Sequence, residues 1–154
     1  MQPRPVGRVA YDNRGRVVLV SGGASGIGRA VCELFAETRA NVLCVDNDSS
    51  AAANLPTGVE FFHGDVAQEE DCQRAVERAV ARWGGLDVLV NNAAIQPLES
   101  YVPLDQVPRQ LWERMVAVNL SGYTFLAKHA VRVMLAQQSG VILNMASGQA
   151  HRSA

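Results

Sequence analysis

The stretch SGGASGIG, Ser21 to Gly28, joins the apolar run RVVLV to the helical pattern RAVCELFAE and places four glycines within eight residues. Glycine costs backbone entropy in any ordered element, so this density predicts a turn that needs positive φ angles, or a backbone that a ligand approaches closely. A strand, a glycine turn and a helix in that order open a βαβ unit.

The alternation continues down the chain. Residues 16–20 (RVVLV), 41–46 (NVLCVD), 59–65 (VEFFHGD), 86–90 (LDVLV) and 140–146 (GVILNMA) read as five strands. Aliphatic, β-branched runs of this kind suit strands buried on both faces of a parallel sheet. Helical spacing fills the intervals. Ile27, Val31, Leu34 and Phe35 share a face in a helix from Ile27 to about Arg39, and Cys72, Val76, Ala79 and Trp83 share one between Ala67 and Trp83. Residues 108–138 are helical with a break near Asn119 to Gly122. The expected fold class is α/β, a doubly wound parallel sheet truncated after the fifth strand, formed by residues 16–154 behind a loose tail of residues 1–15. Such sheets bind ligands beyond the carboxyl ends of their strands, where the strand order reverses. The polar residues Ser21, Asp46, Asp65, Asn91, Asn92 and Ser147 all fall at strand ends.

Composition narrows the function classes. With 48% apolar and 19% charged residues and a net charge of −1, the 154-residue chain reads as one globular domain, with no basic surplus to attract nucleic acid. Its apolar runs are strand-sized, well short of the roughly 18 residues of a membrane span. The opening MQPRPVGRVAYDNRG has no apolar core of a secretory signal. Cys32, Cys44 and Cys72 form no CxxC pair, which fits a reduced, cytoplasmic setting. His63, His129 and His151 are too scattered to suggest a metal site.

A glycine turn that opens a helix offers unpaired N–H groups and the positive end of the helix dipole to an anion, commonly a pyrophosphate. Asp46 ends the second strand eighteen residues after Gly28, where dinucleotide folds place an acid against the adenosine ribose hydroxyls. A 2′-phosphate would meet that like charge, and Asn47 supplies no cation to offset it, so NAD is expected rather than NADP. A bare turn without a ligand, or the acid of a methyltransferase fold, would explain fewer of these positions.

The spacing of Gly22, Gly26 and Gly28 is G-x-x-x-G-x-G. Here the sequence resembles the short-chain dehydrogenase/reductase family, whose motif is TGxxxGIG, with Ser21 in place of the threonine. Four further landmarks follow in family order. Asp65-Val66 is similar to the pair whose aspartate contacts the adenine ring. NNAA, Asn91 to Ala94, resembles the family's NNAG beside the cofactor, with Ala94 in place of the glycine. VNLSG and ILNMAS put Asn119 and Ser147 at the family's catalytic asparagine and serine. The resemblance implies a Rossmann-type fold and hydride transfer between NAD and a small-molecule alcohol or carbonyl substrate. The cofactor contacts it implies are Ser21, Gly22, Ser25, Gly26, Ile27, Gly28, Asp46, Asp65, Val66, Asn91 and Ala93. Homo-oligomers are expected of the complete form. The family's proton-transferring tyrosine lies in Y-x-x-x-K, a pattern absent from these 154 residues, where Tyr11, Tyr101 and Tyr123 have no lysine four positions on. The chain is accordingly expected to be inactive by itself; the alternative is a non-catalytic NAD-binding or interaction module.

Overall fold

The computed structural model describes residues 10–147. The last residues of the expected domain, 148–154, and most of the expected tail lie outside the described residues.

Five strands form one sheet: β1 (Val17–Ser21), β2 (Asn41–Asp46), β3 (Val59–His63), β4 (Val88–Asn91) and β5 (Val141–Asn144). Their order is β3-β2-β1-β4-β5 and every pairing is parallel. The chain leaves β1 in one direction for β2 and β3, then returns to the other side of β1 as β4. The reversal therefore falls between β1 and β4, as the doubly wound reading requires.

Pleat alternation sorts the core into two layers. Val17 and Leu19 of β1 join Leu43, Val45 and Leu89 on one face, against helices α2 (Glu69–Trp83) and α4 (Gly122–Gln137). Val18 and Val20 join Val42, Cys44 and Val90 on the other, against α1 (Gly26–Glu37). Leu19, Leu43, Leu86, Leu89 and Leu126 are fully buried, and each contributes about 1.5–3 kcal/mol relative to an exposed position. The apolar helix positions are why the sequence folds into layers at all: α2 turns Cys72, Ala75, Val76 and Ala79 inward and carries Glu69, Glu70 and Asp71 in its first turn, where the dipole favours them.

Helix α1 departs from the expected face. Ile27 and Leu34 are 65% and 60% exposed, and the buried positions are Gly28 and Cys32, flanked by Val31 and Phe35. The reason is closeness. A Cβ on Gly28 would strike the Gly22 carbonyl oxygen, so the helix approaches the turn along its smallest residues and the bulky Ile27 faces outward.

The expected break near Asn119 is a change of pitch. Helix α3 (Arg109–Val116) runs into a π-helical turn (Ala117–Ser121) and on into α4, with Val116, Ser121 and Gly122 all in the right-handed helical region. Downstream, the Gln137 side chain accepts from Leu86 N at 2.9 Å and donates to Leu86 O at 3.1 Å, fastening the end of α4 to the approach of β4. At the sheet's outer margin, Val141 and Leu143 of β5 and the following Met145 are 52%, 47% and 39% exposed. Among the described residues no helix is long and apolar enough to cross a membrane.

Candidate nucleotide-binding cleft

A cleft of about 430 Å³ opens at the carboxyl ends of β1, β2 and β4, at the strand reversal. Its floor is the glycine turn. Gly22 and Gly26 have φ of +63° and +52°, the left-handed region that glycine enters without strain. A Cβ on Gly22 would sit 2.8 Å from Ala93 Cα, whereas one on Gly26 would meet nothing within 4 Å and would project from the turn into open space. Ser25, which precedes α1, makes no side-chain cap bond, so the first N–H groups of that helix face the cleft unspent by it.

Asp46, at the end of β2, takes the Ala24 N–H on Oδ2 and the Asp48 N–H on Oδ1, at 3.1 Å each. Its carboxylate thus stands against the glycine turn, and both line the cleft. Asp48 is held below the usual carboxylate range by the hydroxyl and N–H of Ser50. On the opposite wall Asp65 accepts from Ala67 N at 3.0 Å and pairs with Arg114 Nη1 at 2.8 Å.

The residues named from sequence divide into two groups. Gly22, Ser25, Gly26, Ile27, Asp46, Asp65, Val66 and Ala93 line the cleft. Ser21, Gly28 and Asn91 do not line it; they build what lies beneath. Ser21 is fully buried, accepts from the N–H groups of Asn92 and Ala93 at 3.0 and 3.1 Å and donates to Val90 O at 3.4 Å. Asn91, also fully buried, donates to Asn144 Oδ1 and Tyr123 O, stapling β4 to β5 and α4; its own Oδ1 has no partner among the described residues. The side chain that reaches the turn is the next one, Asn92, whose Nδ2 donates to Ser21 O and Gly22 O at 3.1 Å each. Sequence reasoning missed this role; the doubled amide after an apolar strand was the available signal.

Asn119 sits in the π-helical turn, and both ends of its amide are committed to Ile95: Oδ1 accepts from Ile95 N at 2.8 Å and Nδ2 donates to Ile95 O at 3.0 Å. Ile95 lines the cleft, so Asn119 acts on it through that neighbour. Ser147 is exposed, beyond the end of β5 and outside the cleft lining. Arg114 and Val118 also line the cleft without having been marked in the sequence. Among the described residues no three His, Cys, Asp or Glu side chains gather where they could hold a metal ion.

Together the cleft holds a glycine floor at positive φ, a helix start, and a carboxylate at the second strand end beside them. Comparison with known proteins gives the family. The family described as short chain dehydrogenase matches residues 16–154. An uncharacterized oxidoreductase of Thermotoga maritima is 36% identical over 90% of this chain and 56% of its own length. Borneol dehydrogenase, mitochondrial, of Lavandula x intermedia is 38% identical over 86% of this chain and 52% of its own. A short chain dehydrogenase/reductase of Macrophomina phaseolina, dpmpG, is 39% identical over 92% and 85% respectively. The chain spans about half the length of most of the curated relatives it matches.

Proposed function

Because the chain belongs to the short-chain dehydrogenase family, we propose that it is the adenine-nucleotide half of an NAD-dependent oxidoreductase acting on an alcohol or carbonyl compound. One observation carries the reading: the Asp46 carboxylate lines the cleft beside the glycine turn, hydrogen-bonded to Ala24 N. When bound, NAD accepts or supplies the hydride.

The chain's own residues do the rest by binding and holding. The turn from Gly22 to Gly26 presents backbone N–H groups to the pyrophosphate, Asp46 takes the ribose hydroxyls, and Asp65 with Val66 receives the adenine. Asn119 fixes the Ile95 wall, and Ser147 hydrogen-bonds the substrate oxygen. Proton transfer needs a group whose pKa lies near the working pH. Burial pushes the Tyr123 hydroxyl above its ordinary value, the wrong direction for that task. The 154-residue chain is therefore expected to bind the nucleotide without turning over.

Titrating NAD and NADP by calorimetry tests the cofactor assignment. NAD should bind at least about tenfold more tightly, and the pair Asp46→Ala with Asn47→Arg should narrow or reverse that preference, since the guanidinium pairs with a 2′-phosphate. Equal affinities in the unaltered chain would defeat the reading.

A further inference from the structure

Arg114 is the one cation among the described residues lining the cleft, and it shares that lining with three carboxylates, Asp46, Asp48 and Asp65. It does not divide itself among them. Its Nη1 lies 2.8 Å from Asp65 Oδ2, while Asp65 Oδ1 takes the Ala67 N–H at 3.0 Å and Asp65 N is held by Asp71 Oδ2 at 2.8 Å. The Asp65 carboxylate is thus gripped on one oxygen by its own loop and on the other by helix α3, forty-nine residues further along the chain.

Both side chains of this pair stay partly exposed, and a solvent-accessible ion pair contributes little to stability, a median near 0–1 kcal/mol, so fold stability gives it little reason to stand in the cleft. Its geometric effect is larger. A carboxylate that must accept one hydrogen bond from a ligand discriminates only if its oxygens are held where the donor arrives. Arg114 supplies that hold from the far wall, and its charge offsets one of three negative groups around the ligand.

We propose that Arg114 is a positioning residue: by fixing Asp65 it sets the preference of this cleft for a base carrying an exocyclic amino group, adenine, over one carrying a carbonyl at the same place, hypoxanthine. The proposal rests on the nucleotide reading above. The adenine amino group donates to the held carboxylate, whereas the hypoxanthine oxygen faces it as a second acceptor.

The experiment uses ADP-ribose and its hypoxanthine counterpart, IDP-ribose, with calorimetric titration of the 154-residue chain. The parent should prefer ADP-ribose by about tenfold or more, the scale of one discriminating hydrogen bond to a charged group. Arg114→Gln should bring the two within about threefold, chiefly by weakening ADP-ribose, and Arg114→Lys should restore part of the gap because it returns a donor and a charge. Asp65→Asn should erase the preference, with Arg114→Gln adding nothing in the double variant, as expected for residues acting as one unit. An Arg114→Gln chain that keeps the full preference overturns the proposal even if its overall affinity falls, because that result assigns Arg114 to phosphate contact or to folding. Failure of the parent to bind ADP-ribose at all overturns the nucleotide reading and this proposal with it. Binding of both ligands with no preference overturns this proposal alone.

Discussion

Replacing Ser21 with alanine removes one oxygen from the deepest part of the structure. That oxygen accepts from two backbone N–H groups, Asn92 at 3.0 Å and Ala93 at 3.1 Å, and nothing else described takes its place. The residue is fully buried, so water does not enter freely to substitute. Each N–H left without an acceptor costs about 1–3 kcal/mol. Two of them lower stability by about 2–6 kcal/mol, which for a domain of this size shifts the melting temperature down by about 4–24 °C. Ser21→Thr keeps the oxygen and should stay near the parent. Thermal unfolding followed by circular dichroism, on parent and both variants side by side, measures the difference. A Ser21→Ala chain melting within about 2 °C of the parent would refute the view that Ser21 organises the junction of β1 with the end of β4.

Three other outcomes are expected. Gly28→Val places a Cβ against the Gly22 carbonyl and 2.5 Å from Asn92 Nδ2, so it should both abolish ADP-ribose binding in titration and lower the melting temperature; normal affinity would remove the glycine turn from the site. The exposed Val141 and Leu143 of the outer strand β5 and Met145 just after it should drive association of the 154-residue chain, seen by light scattering, and Leu143→Lys should reduce it; a monodisperse parent monomer contradicts this. The hydrogen bond from Lys128 holds the Glu69 carboxyl below its ordinary 4.5, so the stability from this contact is present above that value and is lost as pH falls through the lower folded one. Lys128→Met should therefore be less stable than the parent at neutral pH and converge with it in acid, a comparison made by urea denaturation; a gap that does not change with pH rules the linkage out.

The sheet was legible because its strands are short aliphatic runs bounded by turns, a pattern that depends on neighbours in sequence. The turn was legible for the same reason. What the sequence did not disclose are contacts between distant segments. Ile27 and Leu34 have helical spacing toward Val31 and Phe35, yet they are exposed because α1 closes onto the turn through Gly28 and Cys32. Cleft lining by Arg114 depends on α3 returning over the end of β3, and no local pattern marks it. Ser21 and Asn91 were drawn toward the ligand by motif, but the Ser21 hydroxyl is taken by the N–H groups of Asn92 and Ala93 and the Asn91 Nδ2 by Asn144 and Tyr123, and it is the Asn92 side chain that reaches the turn.

The π-helical turn at Ala117–Ser121 has a bearing on how this chain tolerates length changes. A π turn amounts to one residue more than an α turn needs. The wider turn absorbs that surplus residue, so the inward residues of α4, Gly122, Leu126, His129, Ala130 and Met134, keep their phase with the helix that precedes it. Deleting Leu120 would let the segment rewind as continuous α-helix with its two flanks still in phase, whereas the same deletion within the regular turns of α4 would rotate everything after it by about 100° about the helix axis. Gly122, whose place a Cβ would contest with Val66 at 2.8 Å, would keep its inward position in the first case. A single-codon deletion is thus absorbed at this turn but becomes a rephasing event anywhere along the sixteen residues of α4.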